Sequence, residues 1–371
     1  MVRRNVPGIS NVLTERISAT FSMRTPEARK EAVERLGGSK ESEQAVERGL
    51  KWLAVHQYAA GHWSVHEMNC QDHRCTGHGS SEADAGATGM ALLAFLGAGN
   101  THQSGQYTAE VGRGIRWLLA NQQKSGDLSA TQNEYVRYYS HGLAAIALCE
   151  AYGMTKAPQL EQPAQAALDF IVASQHPDLG GWRYKPRTES DTSVSGWQLM
   201  ALKSGQIAGL QVPSSAFRGV GGWLNRVEDK TAPGRFAYHH HPSYSTTETM
   251  TAEGLLMRQY LGARRDDSAL KAGASWLQQR LPHLSNRNAY YWYYGTQVMF
   301  HLQGEHWKNW NASIRPLLET TQETQGPSAG SWNPDGAKRG HAGGRHYVTC
   351  LNLLMLEVYY RHLPLYLNLR Q

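Results

Sequence analysis

Within nine residues, Cys70-x-x-His73-x-Cys75-x-x-His78 gathers four side chains that soft and borderline metal ions prefer. Two thiolates and two imidazoles are enough for tetrahedral zinc. The same cysteines could instead close a short disulfide in an exported protein, or stay as free thiols in a polar loop. The sequence leaves all three open. His239-His240-His241, just before Pro242, reads as a solvated turn more readily than as a site.

A second set of chemistry-bearing residues sits where otherwise apolar stretches begin. It comprises Asp84; Arg137, Tyr138, Tyr139 and His141; Asp191 and Thr192; Thr246, Thr247 and Glu248; Tyr290, Tyr291, Tyr293 and Tyr294; and His346 and Tyr347. Asp84, Asp191 and Thr246 are first of all ordinary helix caps, because a short oxygen-bearing side chain accepts from the free N–H groups of a first turn. Capping does not explain the excess of Tyr and His. Aromatic walls can hold a hydrocarbon or steady a cation over their ring faces. Several helix starts aimed at one place also create a positive potential suited to a diphosphate or carboxylate.

The elements that must position these residues announce themselves by repetition. A small residue, two variable ones, an aromatic and an aliphatic recur with the aromatics at 52, 117, 170, 223 and 276, the last four 53 residues apart. A fixed period of this size marks a repeat architecture whose units bury their apolar faces on one another. Amphipathic helices are expected near 43–57, 108–122, 162–175, 215–227, 267–280 and 310–323. Each is followed by a helix of small and apolar residues, near 83–95, 137–152, 191–206, 246–261, 289–303 and 346–361, as suits burial on every side. The sixth outer helix is degenerate, with Pro316 in it. Twelve helices in six hairpins describe an all-α fold, an α/α toroid of six inner helices ringed by six outer ones, with an open solenoid as the rival. Residues 1–40 read as an N-terminal arm with a helix near Glu27–Leu36, and 41–371 as the toroid domain.

The loops share a phrase of their own: Gln57-x-x-x-Gly61-x-Trp63, Gln122-x-x-x-Gly126-x-Leu128, Gln175 with Gly180-x-Trp182, Gly234-x-Phe236, and Gln325 with Gly330-x-Trp332. Glycine permits the reversal at a helix C-terminus, and Gln can satisfy free backbone groups there.

Net charge is +6 and pI about 9.0, but the basic residues are scattered, without the stripe that nucleic acid requires. No window approaches the roughly 18–20 apolar residues of a membrane span. Met1-Val-Arg-Arg-Asn-Val-Pro-Gly has no apolar core behind its basic residues, so it does not read as a signal peptide. An upstream anchor missing from the chain stays open, and the compartment is unassigned. Cys149 and Cys350 lie in apolar stretches and read as buried thiols.

The loop phrases resemble the repeats of squalene–hopene cyclases and protein prenyltransferase β subunits, members of the terpenoid cyclase/prenyltransferase superfamily. Gly180-Gly-Trp-Arg-Tyr-Lys-Pro-Arg-Thr-Glu-Ser-Asp191-Thr-Ser-Val-Ser-Gly-Trp197 looks like that superfamily's third-repeat signature, and the stretch from Tyr347 like its last inner helix. The resemblance covers about residues 40–365 and is nearest to single-toroid prenyltransferase/squalene oxidase repeat proteins of bacteria. It implies a small hydrophobic or isoprenoid ligand in a central cavity. Cyclases protonate an alkene with the middle Asp of Asp-x-Asp-Asp-Thr; here the register reads Thr188-Glu189-Ser190-Asp191-Thr192, so Ser190 replaces the acid. Prenyltransferase zinc ligands fall on Asp191, Ser193 and Val348, one ligand of three. The thioester motif of complement-like toroids is absent.

These readings give three expectations. The first is an isoprenoid cyclase-like or transferase-like protein with Asp191 or Glu189 as acid. His141 and Glu248 would share the catalytic rim, and Tyr139, Trp197, Tyr291, Tyr294, His346 and Tyr347 would line the ligand. The second is a toroid that binds without catalysis, and the third a carbohydrate-active enzyme using a carboxylate pair from Asp84, Asp191 and Glu248. No cofactor is required, and zinc at the Cys70–His78 loop is the one considered.

Overall fold

The computed structural model describes residues 21–70, 74–131 and 133–366. Helix α1 (Pro26–Leu36) opens the described chain, capped by the Thr25 side chain, and matches the helix expected in the arm; residues 1–20 of that arm lie outside the described residues. Six hairpins follow. They pair α2 (Lys40–Val55) with α3 (Asp84–Gly97), α4 (Thr108–Asn121) with α5 (Glu134–Thr155), and α6 (Pro158–Ser174) with α7 (Thr192–Ala208). The second half pairs α8 (Ser214–Val227) with α9 (Glu248–Tyr260), α10 (Ser268–Gln278) with α11 (Ala289–Leu302), and α12 (Gly304–Thr321) with α13 (Gly340–Leu356), before a last turn α14 (Val358–Arg361). Among the described residues only isolated β-bridges interrupt this all-helical pattern.

The six inner helices pack in sequence, each on the next, and α13 packs back on α3, so the ring closes and the solenoid alternative fails. Every residue of α3 from Ala85 to Gly97 and every residue of α11 is buried, which is why both are apolar all round. The two ends of the sixth hairpin differ from expectation. α12 starts six residues early, and Trp310 serves as its inward aromatic, donating Nε1 to Thr296 at 2.9 Å. α13 starts at Gly340 and bends at Gly344, whose φ of +64° breaks the helix.

The loop phrase works as a clamp between neighbouring outer helices. Gln57 donates to Gly61 O (2.7 Å) and to Glu110 O (2.9 Å) in the first turn of α4. Gln122 does the same to Gly126 O and Pro163 O, and Gln175 to Gly180 O and Ala216 O. The seam uses Gln322, not Gln325: its Nε2 donates to Gly330 O and to Ala45 O of α2, both at 2.8 Å. Three joints are sealed by a loop Trp whose indole donates back to the preceding outer helix (Trp63 to Leu53 O, Trp182 to Ile171 O, Trp332 to Leu318 O). At the seam Gly330 has φ +95°, and a Cβ there would stand 2.2 Å from the Arg48 carbonyl oxygen. No other residue fits that approach.

The ring's two ends are unlike. At the C-terminal ends of the inner helices, Arg24 and Arg361 both bind Glu150 at 2.7 Å, and Arg361 also donates to Leu93 O. The segments flanking the hairpins therefore plug this end. At the opposite end the inner-helix N-termini gather around polar and aromatic side chains.

Breaking one seam clamp is expected to loosen the whole ring. Gln322→Leu removes both donations and the Oε1 acceptor of Arg48 Nε and should lower unfolding free energy by about 1–3 kcal/mol, while Gly330→Ala should do at least as much. Gly222→Ala, on an exposed helix face with nothing within 4 Å, should instead stabilise by about 0.5–1 kcal/mol. Chemical denaturation of the three variants checks both signs.

Candidate functional site

Asp191 is a buried cap. Its Oδ1 accepts from Val194 N at 2.7 Å, and its Oδ2 from the Tyr238 hydroxyl at 2.9 Å, with Arg183 Nε 3.5 Å away. Burial drives its carboxyl up to about 7, against the pull of Val194 N–H, Tyr238 and Arg183. Glu189 turns outward to pair with Arg183, and Glu248 is a half-exposed first-turn residue of α9. Of the three expected caps, only Asp191 caps: Thr247, not Thr246, caps α9, and Asp84 follows an uncapped Ala83.

His141 does not line a rim. It is fully buried, takes the Leu128 N–H on Nδ1 at 3.0 Å and faces Ala167 O with Nε2 at 3.1 Å. Thr88, Ser195, Thr251 and Thr349 take the equivalent N–H from Trp63, Trp182, Phe236 and Trp332. His141 is therefore the second repeat's version of a structural acceptor. His346 is likewise enclosed: Nε2 meets Ala87 O at 2.9 Å, tying α13 to α3, and burial holds its imidazole down at about 4. Tyr291 faces the outer layer, donating to Arg280 O and standing edge-on to Trp310.

What the ring centre does bring together is Tyr139, Trp197, Tyr294, Ser193, on which a zinc-ligand position of the resemblance falls, and Glu253, which the sequence reading passed over, with Tyr290 linking them. The Tyr139 hydroxyl donates to Ser193 Oγ at 3.0 Å, Ser193 Oγ meets the Tyr290 hydroxyl at 2.8 Å, and Tyr290 reaches Glu253 Oε1 at 3.3 Å. Trp197 Nε1 adds a donor to Tyr290 at 3.1 Å. Exposure drops from half-buried Tyr139 to the nearly equal Ser193 (8%) and Tyr290 (9%), and reaches 0% at Glu253. Trp197 lies parallel to Tyr293 at 5.6 Å, and Tyr294 stands edge-on to both Tyr290 and Tyr293.

Glu253 is the chemical centre of this group. Burial lifts its carboxyl well above the usual range, the Tyr294 and Tyr290 hydroxyls offset part of that, and Asp191 adds to it. Burial thus disfavours the charged form of this carboxyl in its aromatic setting, where Oε1 accepts from the Tyr290 hydroxyl. Gly196 makes room for it, since a Cβ there would lie 2.1 Å from Glu253 Oε1. The signal in the sequence was a lone carboxylate in the middle of an inner helix. Tyr347 is half-buried on α13.

The cysteine loop resolves differently from the four-ligand reading. Cys70 and Cys75 are joined as a disulfide, and His78 is spent on backbone, its ring nitrogens facing His66 O and Cys75 O. His73 lies outside the described residues. Cys149 and Cys350 are buried free thiols, as expected.

Residues 30–138 match the family model of the squalene–hopene cyclase C-terminal domain. That match spans 109 of the chain's 371 residues. The type II terpene cyclase MstE from Scytonema shares this toroid at TM-score 0.56 and 12% identity, over 86% of this chain and 97% of that one. An α-1,6-mannanase variant from Salegentibacter sp. in complex with mannotriose aligns at TM-score 0.60 and 9% identity, over 86% and 99%. Cellobiose 2-epimerase from Bacillus thermoamylovorans aligns at 0.62 and 12%, over 85% and 98%. At these identities the structural likenesses concern the fold. No curated protein matches by sequence. Among the described residues no helix is long and apolar enough to cross a membrane.

The raised Asp191 carboxyl has a consequence for stability with a definite sign. An aspartate unfolds into water with a value near 3.9, so the folded toroid binds the extra proton between about pH 4 and 7. The stability that proton supplies is fully present below pH 4 and lost as pH rises through 7. Asp191→Asn keeps the cap and should flatten this fall, on the order of 2–4 kcal/mol, measured by guanidinium unfolding at pH 5 and pH 8.

Proposed function

We propose that this toroid binds an isoprenoid-like ligand, its hydrocarbon against the aromatic wall and its oxygenated end against the Tyr139–Ser193–Tyr290–Glu253 line. The observation that carries the reading is the fully buried Glu253, connected to the rim by three hydroxyls in a setting that disfavours its charged form. A neutral acid in a low-dielectric site is a strong donor to an alcohol, ether or carbonyl oxygen. It is a poor proton source for an isolated alkene, because the same burial that raises its pKa makes it hold the proton. Asp191 is held in its cap, with Tyr238 on its other oxygen, and Glu189 pairs with Arg183. The reading is therefore of recognition rather than proton-initiated cyclisation. The complex of an MstE variant with geranylgeranyl dihydroxybenzoate, an oxygenated prenyl compound, lends support by analogy of fold.

A carbohydrate ligand is the second reading. It draws on the mannanase and epimerase neighbours and on the electrostatic coupling of Asp191 with Glu253, two carboxyls on adjacent inner helices. One titration separates the two. Quenching of tryptophan fluorescence by geranylgeraniol, with mannotriose in parallel, should be saturable for the prenyl alcohol alone. Tyr290→Phe and Glu253→Gln should each weaken it about 5–30-fold, the worth of a buried hydrogen bond of 1–2 kcal/mol. Saturable quenching by the sugar, or no response to either, rejects the isoprenoid reading.

A further inference from the structure

The outer wall carries a second cluster that owes nothing to the ring centre. His56 follows α2, and its Nδ1 lies 2.7 Å from Trp52 O, while Nε2 lies 3.1 Å from Cys75 Sγ. The Sγ atoms of Cys70 and Cys75 and one His56 ring nitrogen all fall within 4.8 Å of one another, and all three residues are buried, at 6%, 8% and 5% exposure for His56, Cys70 and Cys75. We propose that, with the Cys70–Cys75 bridge reduced, His56, Cys70 and Cys75 form a binding site for a soft divalent cation such as zinc.

Three features of the cluster point to a metal. Donation of Nδ1–H to the Trp52 carbonyl turns the Nε2 lone pair of the neutral ring toward the sulfur. This is the outer-shell arrangement that orients metal-binding histidines. The Cys75 N–H donates to Cys70 Sγ at 3.3 Å, a contact that favours the thiolate over the thiol. Zinc bonds of about 2.3 Å to sulfur and 2.1 Å to nitrogen place tetrahedral ligand atoms roughly 3.5–4 Å apart. The present spread therefore needs only small side-chain rotations. Binding is balanced without an oxidant: two thiols and one divalent ion give the dithiolate complex and two protons.

The loop is already held in place for this task. Arg345 Nε donates to Thr76 O at 2.8 Å, the Arg345 N–H to Gly77 O at 2.7 Å, and Ser80 N to His341 O at 3.0 Å. These bonds join the first hairpin to the sixth, so an ion at Cys70 and Cys75 would clasp the seam of the ring. The sequence placed the ligands at His73 and His78; the geometry substitutes His56, fourteen residues before the first cysteine, for His78.

The test uses the full chain reduced with dithiothreitol, freed of reductant without air, and titrated with cobalt(II). One equivalent should bind, with the thiolate-to-cobalt band and the visible bands of a tetrahedral ion, and zinc should displace it. Cys75→Ser should abolish the thiolate band. His56→Gln, which leaves both sulfurs, should weaken cobalt binding at least tenfold, with circular dichroism confirming an intact fold. A folded, reduced chain that takes up no cobalt overturns the proposal. So does a bridge that dithiothreitol does not open, or an affinity indifferent to His56→Gln.

Discussion

Everything in this molecule depends on the contact between a loop and the backbone of the next outer helix. A glutamine amide spans the two carbonyls, a glycine lets the strands of chain approach to within van der Waals range, and an indole seals the preceding helix. Each of these groups would be an unmet polar group or an empty space if its neighbour were missing. The clamp is therefore satisfied only when the repeats follow one another, and six repeats leave no free end because the last clamp closes on Ala45. The inner helices need no polar stripe because the outer set supplies the solvated surface.

That division of labour decides what the sequence could and could not disclose. The outer helices and loops were legible because their side chains are fixed by contacts one repeat away, and the same contacts recur every 53 residues or so. Gln322 was missed for Gln325 because one is the C-cap of α12 and the other lies three residues on in the loop, and only the partner carbonyl distinguishes them. The inner helices hid their orientation. A helix apolar on all sides carries no stripe to show which residues face the axis, and a step of one residue turns the side chain by about 100°. Tyr290 thus reaches the centre while Tyr291 meets Trp310 on the far side.

The histidines illustrate the same difficulty. In a row of helix-start residues, His141 and His346 look like chemistry, because imidazole is so often used for it. In place, each satisfies backbone between helices, and His141 does what threonine or serine does in the other repeats. Glu253 is the reverse case: a single carboxylate in the middle of a buried helix, easily set aside, and the group around which the central hydroxyls arrange themselves. Position on the ring, rather than residue type, separates the structural from the chemical.

The plug at the closed end joins residues from opposite ends of the chain, Arg24 and Arg361, on one glutamate. A ring sealed this way cannot be finished until its final helix has been synthesised, by which time five hairpins have already emerged. Until then α3 exposes to water the flank that α13 will cover. Long-range closure of this kind slows folding and leaves apolar surface bare while it waits. The growing polypeptide would thus rely on chaperone shelter, or on temporary stacking of neighbouring repeats, throughout most of its time on the ribosome.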